Sequence, residues 1–130
     1  MGISVTALYA ALTGLLAIAL GLRVVVLRRR HGVGVGSGGH NDLSLAIRAH
    51  GNLLEQAPIA LLLLLLLELS GARSGFLHAI GGLFVVARLL HAWGLSGKPG
   101  YSFGRFYGTA ITWGMVIVTS VALLVKLFIR

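Results

Sequence analysis

Four long apolar runs, separated by short polar stretches, dominate the chain: approximately Ile3–Leu27, Leu43–Leu67, Gly75–Leu95 and Tyr107–Phe128. At about 1.5 Å of rise per residue, a helix over each run covers roughly 30 Å of hydrocarbon. A segment crossing a bilayer must satisfy its own backbone N–H and C=O groups, so runs of this length predict helices. The pattern predicts an all-α integral membrane protein, a bundle of four transmembrane helices forming a single domain over residues 1–130. The first run has no basic leader and exceeds the apolar core of a signal peptide, so it reads as a retained anchor.

Polar residues interrupt the pattern at one place above all. The second run begins with Arg48, His50, Asn52 and Glu55, followed by Pro58 and seven consecutive leucines, Leu61 to Leu67. A charge at bilayer depth costs at least about 2.5 kcal/mol, so ionisable groups there need partners and point to function. At 100° per residue, Arg48, Asn52 and Glu55 share one stripe of a helix, and His50 faces roughly the other way. Arg88 and His91, in the third run, are i, i+3 neighbours. If consecutive helices are antiparallel, the second enters and the third leaves through the same membrane face. That brings Arg48, Asn52 and Glu55 to the depth of Arg88 and His91, with Arg105 closing the group from the rim.

Each of these residues also has a plain structural reading. Glu55 paired with Arg88 or Arg48 would fix helix register. His50 reads best as a structural hydrogen-bonding residue, Asn52 as a bond to a neighbouring helix, and Arg48 and Arg105 as side chains snorkelling to the interface. As a set, three arginines against one carboxylate predict a pocket for an anionic ligand. Pro58 is expected to kink the helix one turn below Glu55.

Composition narrows the class. Only 11% of the 130 residues are charged, against roughly 25% in soluble domains. The absence of cysteine excludes disulfides, thiolate metal sites and a protein thiol nucleophile. The net charge of +8 sits mostly at the ends of apolar runs without interleaved aromatics. That favours contact with anionic lipid headgroups and argues against nucleic acid. Arg28, Arg29, Arg30, Lys98 and Arg105 fall on the face of the first and third loops, and Arg73, Lys126 and Arg130 on the other. The imbalance predicts cytoplasmic first and third loops. The stretch Gly32-Val-Gly-Val-Gly-Ser-Gly-Gly39 lacks the Lys-Ser/Thr of a P-loop and reads as a flexible connector, with Asn41, Asp42 or Ser44 capping the next helix. Arginines around His50 and His91 argue against a metal.

The segment Arg48-Ala-His50-Gly-Asn52-Leu-Leu-Glu55-Gln-Ala-Pro58 resembles the second-helix signature of the MAPEG superfamily, the membrane-associated proteins in eicosanoid and glutathione metabolism. Ala87-Arg88-Leu-Leu-His91-Ala-Trp-Gly94 is similar to its third-helix signature. The likeness is greatest to the small bacterial microsomal-glutathione-transferase-like members, which implies residence in the bacterial inner membrane. It also implies a homotrimer that binds glutathione, as co-substrate, between subunits near the cytoplasmic face and takes a hydrophobic small-molecule substrate from the bilayer. Carried over residue by residue, Asn52, Glu55 and His91 match positions lining the glutathione site. Arg105 matches the arginine that holds the thiolate, and Arg48 and Arg88 match the arginines of the two signatures. An arginine late in the first helix, Arg23 or Arg28, belongs to the same site. The chain departs from the family pattern at Gly51, where many members have a basic residue, and at Leu95 and Thr109, where many have tyrosine. Tyr101 or Tyr107 would compensate.

The implied function is a glutathione-dependent transferase or peroxidase acting on lipophilic electrophiles or lipid hydroperoxides. The alternative is a non-catalytic protein of the same frame that binds lipid or another anionic ligand. A four-span drug exporter with one intramembrane glutamate fits poorly, because arginines around Glu55 would hold it ionised and repel cations.

Overall fold

In the computed structural model, which describes residues 2–95, 100 and 102–129, the four apolar runs form α1 (Ser4–His31), α2 (Asn41–Leu69), α3 (Ser74–Gly94) and α4 (Phe103–Phe128). All four helices are long and apolar enough to cross a membrane. The bundle is an integral membrane architecture in which α2 and α3 lie between α1 and α4. Among the described residues α1 and α4 do not touch, and α3 with α4 is the most intimate pair.

Several helix boundaries move outward from the apolar runs, and three of them have a clear local cause. Four basic residues, Arg28 to His31, form the last turn of α1, where positive charge complements the carbonyl end of the helix dipole. Gly32 then stops the helix with φ +65°, and Val33 N–H donates to Arg28 O at 3.0 Å, a left-handed glycine ending. The polar Asn41 and Asp42 form the first residues of α2, which begins after His40 in extended conformation. No side chain of Asn41, Asp42 or Ser44 caps it from outside; instead Asp42 Oδ1 accepts from the N–H of Leu43 at 2.8 Å. The first turn of α4 holds Phe103, Phe106 and Tyr107, all largely exposed, an aromatic belt at interface height.

The glycine-rich stretch is a folded loop rather than a loose connector. Arg28 Nη1 donates to the carbonyls of Gly36 at 2.7 Å and Gly34 at 3.4 Å. His31 Nε2 meets the Asp42 carboxylate at 2.9 Å and its ring stacks on His40 with centroids 3.8 Å apart. Helix α2 runs unbroken through Pro58, whose side chain points outward.

The apolar core runs from beside the polar cluster toward the opposite end of the bundle. It joins Val5 of α1, Leu53, Ala57, Ala60, Leu64 and Leu67 of α2, Leu77, Ile80 and Phe84 of α3, and Met115 of α4. The leucine run is divided by helical period: Leu64 and Leu67 are buried while Leu62 and Leu66 face out. At that end the Glu68 carboxylate accepts from the N–H groups of Val5 (2.9 Å) and Thr6 (2.7 Å), tying the start of α1 to the end of α2. An anion there satisfies donors that no helical carbonyl reaches.

Candidate functional site

Helices α3 and α4 approach closely because small residues line their seam. A Cβ added at Gly108 would lie 2.6 Å from Ala87 O and 2.8 Å from His91 Cβ; one added at Gly94 would lie 2.6 Å from both the Ser102 Oγ and the Arg105 backbone nitrogen. Side chains at either position would force the backbones apart. This seam brings the first turns of α4 against the last turns of α3.

Arg88 sits inside the bundle, only 3% exposed. Its Nη1 donates to Asn52 Oδ1 of α2 at 2.5 Å and its Nη2 to Gly108 O of α4 at 3.0 Å. One guanidinium therefore links three helices, and the Gly108 carbonyl it uses also accepts from the Thr112 hydroxyl at 2.8 Å. His91, one turn on, is also buried.

Beside these residues lies a cavity of about 710 Å³, lined at one end by Arg48, Asn52, His91, Gly100, Ser102 and Arg105. Leu95, Phe106, Thr109, Ala110 and Trp113 line the remainder. Arg105 Nη1 donates to Gly100 O at 2.9 Å, which holds its guanidinium beside the cavity. The volume falls within the roughly 300–1,000 Å³ usual for small-molecule sites. Its polar end, with two guanidinium groups, an amide, an imidazole and a hydroxyl, suits an anionic, hydrogen-bond-accepting ligand. Its other wall is largely apolar, and Trp113 there is widely exposed.

The structure thus gathers Arg48, Asn52, His91 and Arg105 around one space and places Arg88 directly behind Asn52. Other residues singled out from the sequence go elsewhere. Glu55 pairs with Arg48 rather than Arg88, with Nη1–Oε1 at 3.1 Å and Nη2–Oε2 at 3.4 Å, on an outward face. It does not line the cavity. Arg28 is occupied by the carbonyls of the first loop. Tyr107 packs on the rings of Phe103 and Phe106 outside the cavity. Neither Arg23 nor His50 lines it; His50 turns toward α1, where a Cβ on Gly21 would stand 3.3 Å from its Nε2. Lys98, Tyr101 and Arg130 lie outside the described residues.

Sequence reasoning overlooked the α4 wall. Ser102, Arg105–Phe106, Thr109–Ala110 and Trp113 recur every three to four residues, one helical face. That signal was present, but apart from Arg105 its polar members are only the short hydroxyl side chains Ser102 and Thr109. Among the described residues no cluster of three or more His, Asp or Glu side chains forms a metal site.

The MAPEG family model matches residues 6–125. The chain belongs to the MAPEG family. Two curated relatives, each named inner membrane protein YecN, come from the K12 and O6:H1 strains of Escherichia coli. Both are 42% identical over 90 residues, which is 69% of this chain and 69% of theirs. The family match covers all four helices of the bundle, including both polar segments that converge on the cavity.

Proposed function

We propose that this MAPEG protein is a glutathione-dependent membrane transferase or peroxidase acting on lipophilic electrophiles or lipid hydroperoxides. The observation that carries the reading is the single cavity wall with arginines at one end and Phe106, Ala110 and Trp113 at the other. A tripeptide with two carboxylates suits the donor-rich end, and an apolar second substrate suits the lipid-facing end. Glutathione's thiol has the pKa of an ordinary cysteine, about 8.5. In this reading the Arg105 guanidinium favours its thiolate form and holds the sulfur. Arg48, Asn52 and His91 grip the peptide ends, and Ser102 offers a hydroxyl beside Arg105. Rate then comes from the stabilised thiolate and from proximity to a membrane-dissolved partner.

The same reading assigns the protein to a bacterial inner membrane, by likeness to the YecN proteins, with its first and third loops cytoplasmic. It also assigns a homotrimer. The outward Arg48–Glu55 pair, with side chains 57% and 54% exposed at the head of a membrane span, supports coverage by a neighbouring subunit. The alternative, a non-catalytic lipid- or anion-binding protein of the same frame, is favoured by Leu95 and Thr109, apolar and short side chains on the cavity wall.

The deciding experiment follows the ultraviolet absorbance of thiolate when glutathione is added to the detergent-purified protein and to Arg105→Ala. A signal in the wild type that the variant lacks supports thiol activation. An equal signal in both removes Arg105 from that role, and no binding at millimolar glutathione gives the lead to the alternative.

A further inference from the structure

A guanidinium has five N–H donors and no acceptor. Its contact with Asn52 therefore leaves no ambiguity about which way the amide points: the oxygen must face Arg88. The Nδ2 group, with two donors, is turned from Arg88, and among the described residues it donates to no protein atom. Asn52 also lines the cavity. Left to itself an asparagine is two-faced and offers a ligand either a donor or an acceptor by rotating its amide. Buried Arg88, held on its other side by Gly108 O, removes that choice.

We infer that Arg88 is a positioning residue that fixes Asn52 as a one-way donor, so that this part of the cavity accepts carboxylate or carbonyl oxygen and rejects ammonium or amide N–H. The inference rests on the anion-binding reading above only for the identity of the ligand. With Arg48 and Arg105 also restricted to donating, three cavity groups from α2 and α4 carry the same polarity. A ligand group presenting N–H to these three side chains meets donors only, and such an unpaired contact is selected against.

The chain has two asparagines, Asn52 and the exposed Asn41, so asparagine-selective ¹⁵N labelling yields two side-chain amide signals that Asn52→Asp assigns. Charge-assisted bonding at Oδ1 draws electron density from Nδ2 and stiffens the C–N bond. The wild-type Asn52 signal is expected to be displaced from that of Asn41, to collapse toward it in Arg88→Gln, and to be kept in part by Arg88→Lys, which is also donor-only. An Asn52 signal coincident with Asn41, or unmoved by Arg88→Gln, overturns the inference.

The second arm is Asn52→Asp, which keeps an acceptor for Arg88 and so keeps the fold, while replacing the cavity-facing donors with an acceptor. Glutathione affinity is expected to fall about tenfold or more; unchanged affinity in a folded variant also overturns the inference. If the wild type binds no glutathione, the proposed function fails, and the ligand-free amide signals still decide the role of Arg88.

Discussion

Two glycine-to-alanine substitutions, identical in chemistry, are expected to change stability in opposite directions. At Gly108 the added methyl would stand 2.6 Å from Ala87 O, 2.8 Å from His91 Cβ and 2.9 Å from the His91 backbone nitrogen. Ordinary contact begins near 3.4 Å, so the α3 and α4 backbones must part by several tenths of an ångström. Overpacking of this kind costs about 1–3 kcal/mol. The same shift pulls Gly108 O away from Arg88 Nη2, and a strained bond from a charged donor is worth about 1.5–3 kcal/mol. The two effects overlap, so a destabilisation of roughly 2–4 kcal/mol is expected. At Gly51, also inside a helix, a Cβ meets nothing within 4 Å. There alanine removes only the conformational cost of glycine, a gain of about 0.5–1 kcal/mol. Helix loss followed by circular dichroism, during heating in mild detergent, reads both. Gly51→Ala should melt at or above the wild type and Gly108→Ala well below it. Equal melting of the two variants would refute the close α3–α4 seam as the frame of the site.

Further outcomes follow from the same contacts. Leu64→Ala, which empties a fully buried position, should cost about 2–5 kcal/mol in the same melt, whereas Leu62→Ala on the outward face should cost far less. Glu68→Ala should lower stability by about 1 kcal/mol and speed hydrogen exchange at the Val5 and Thr6 amides that its carboxylate holds; unchanged exchange would show that the cap is idle. Arg48→Ala removes a cavity-lining guanidinium and should weaken anionic-ligand binding measured by calorimetry while the helices still melt near the wild-type temperature. A large stability loss would instead make Arg48 a structural lock.

Much of the site was legible because membrane depth makes polar residues conspicuous. Arg48, Asn52, His91 and Arg105 stand out against leucine and alanine, and helical period plus antiparallel order suffices to bring them to one level. Glu55 shows the limit of that argument. It shares the stripe of Arg48 and Asn52, but a stripe is wide enough for the ion pair at its edge to turn outward. Arg28 and Tyr107 lie outside the cavity for a related reason. Sequence distance from the cluster says nothing of whether a nearby carbonyl or ring captures the side chain first, as Gly36 O and the Phe103 ring do.

The sequence by itself determined four membrane-length helices, their alternating direction and the level at which the polar groups meet. Those properties follow from the solvent: hydrocarbon demands self-satisfied backbone and penalises each charge whatever the packing. Only the tertiary structure decided which partner each polar group takes. Arg88 reaches Asn52 rather than Glu55 because Gly108 and its neighbours let α4 come close enough to offer Arg88 a second carbonyl. The apolar wall from Phe106 to Trp113 was equally hidden. Which face of an oily helix borders a cavity, and which borders lipid, is set by its neighbours and not by its own composition.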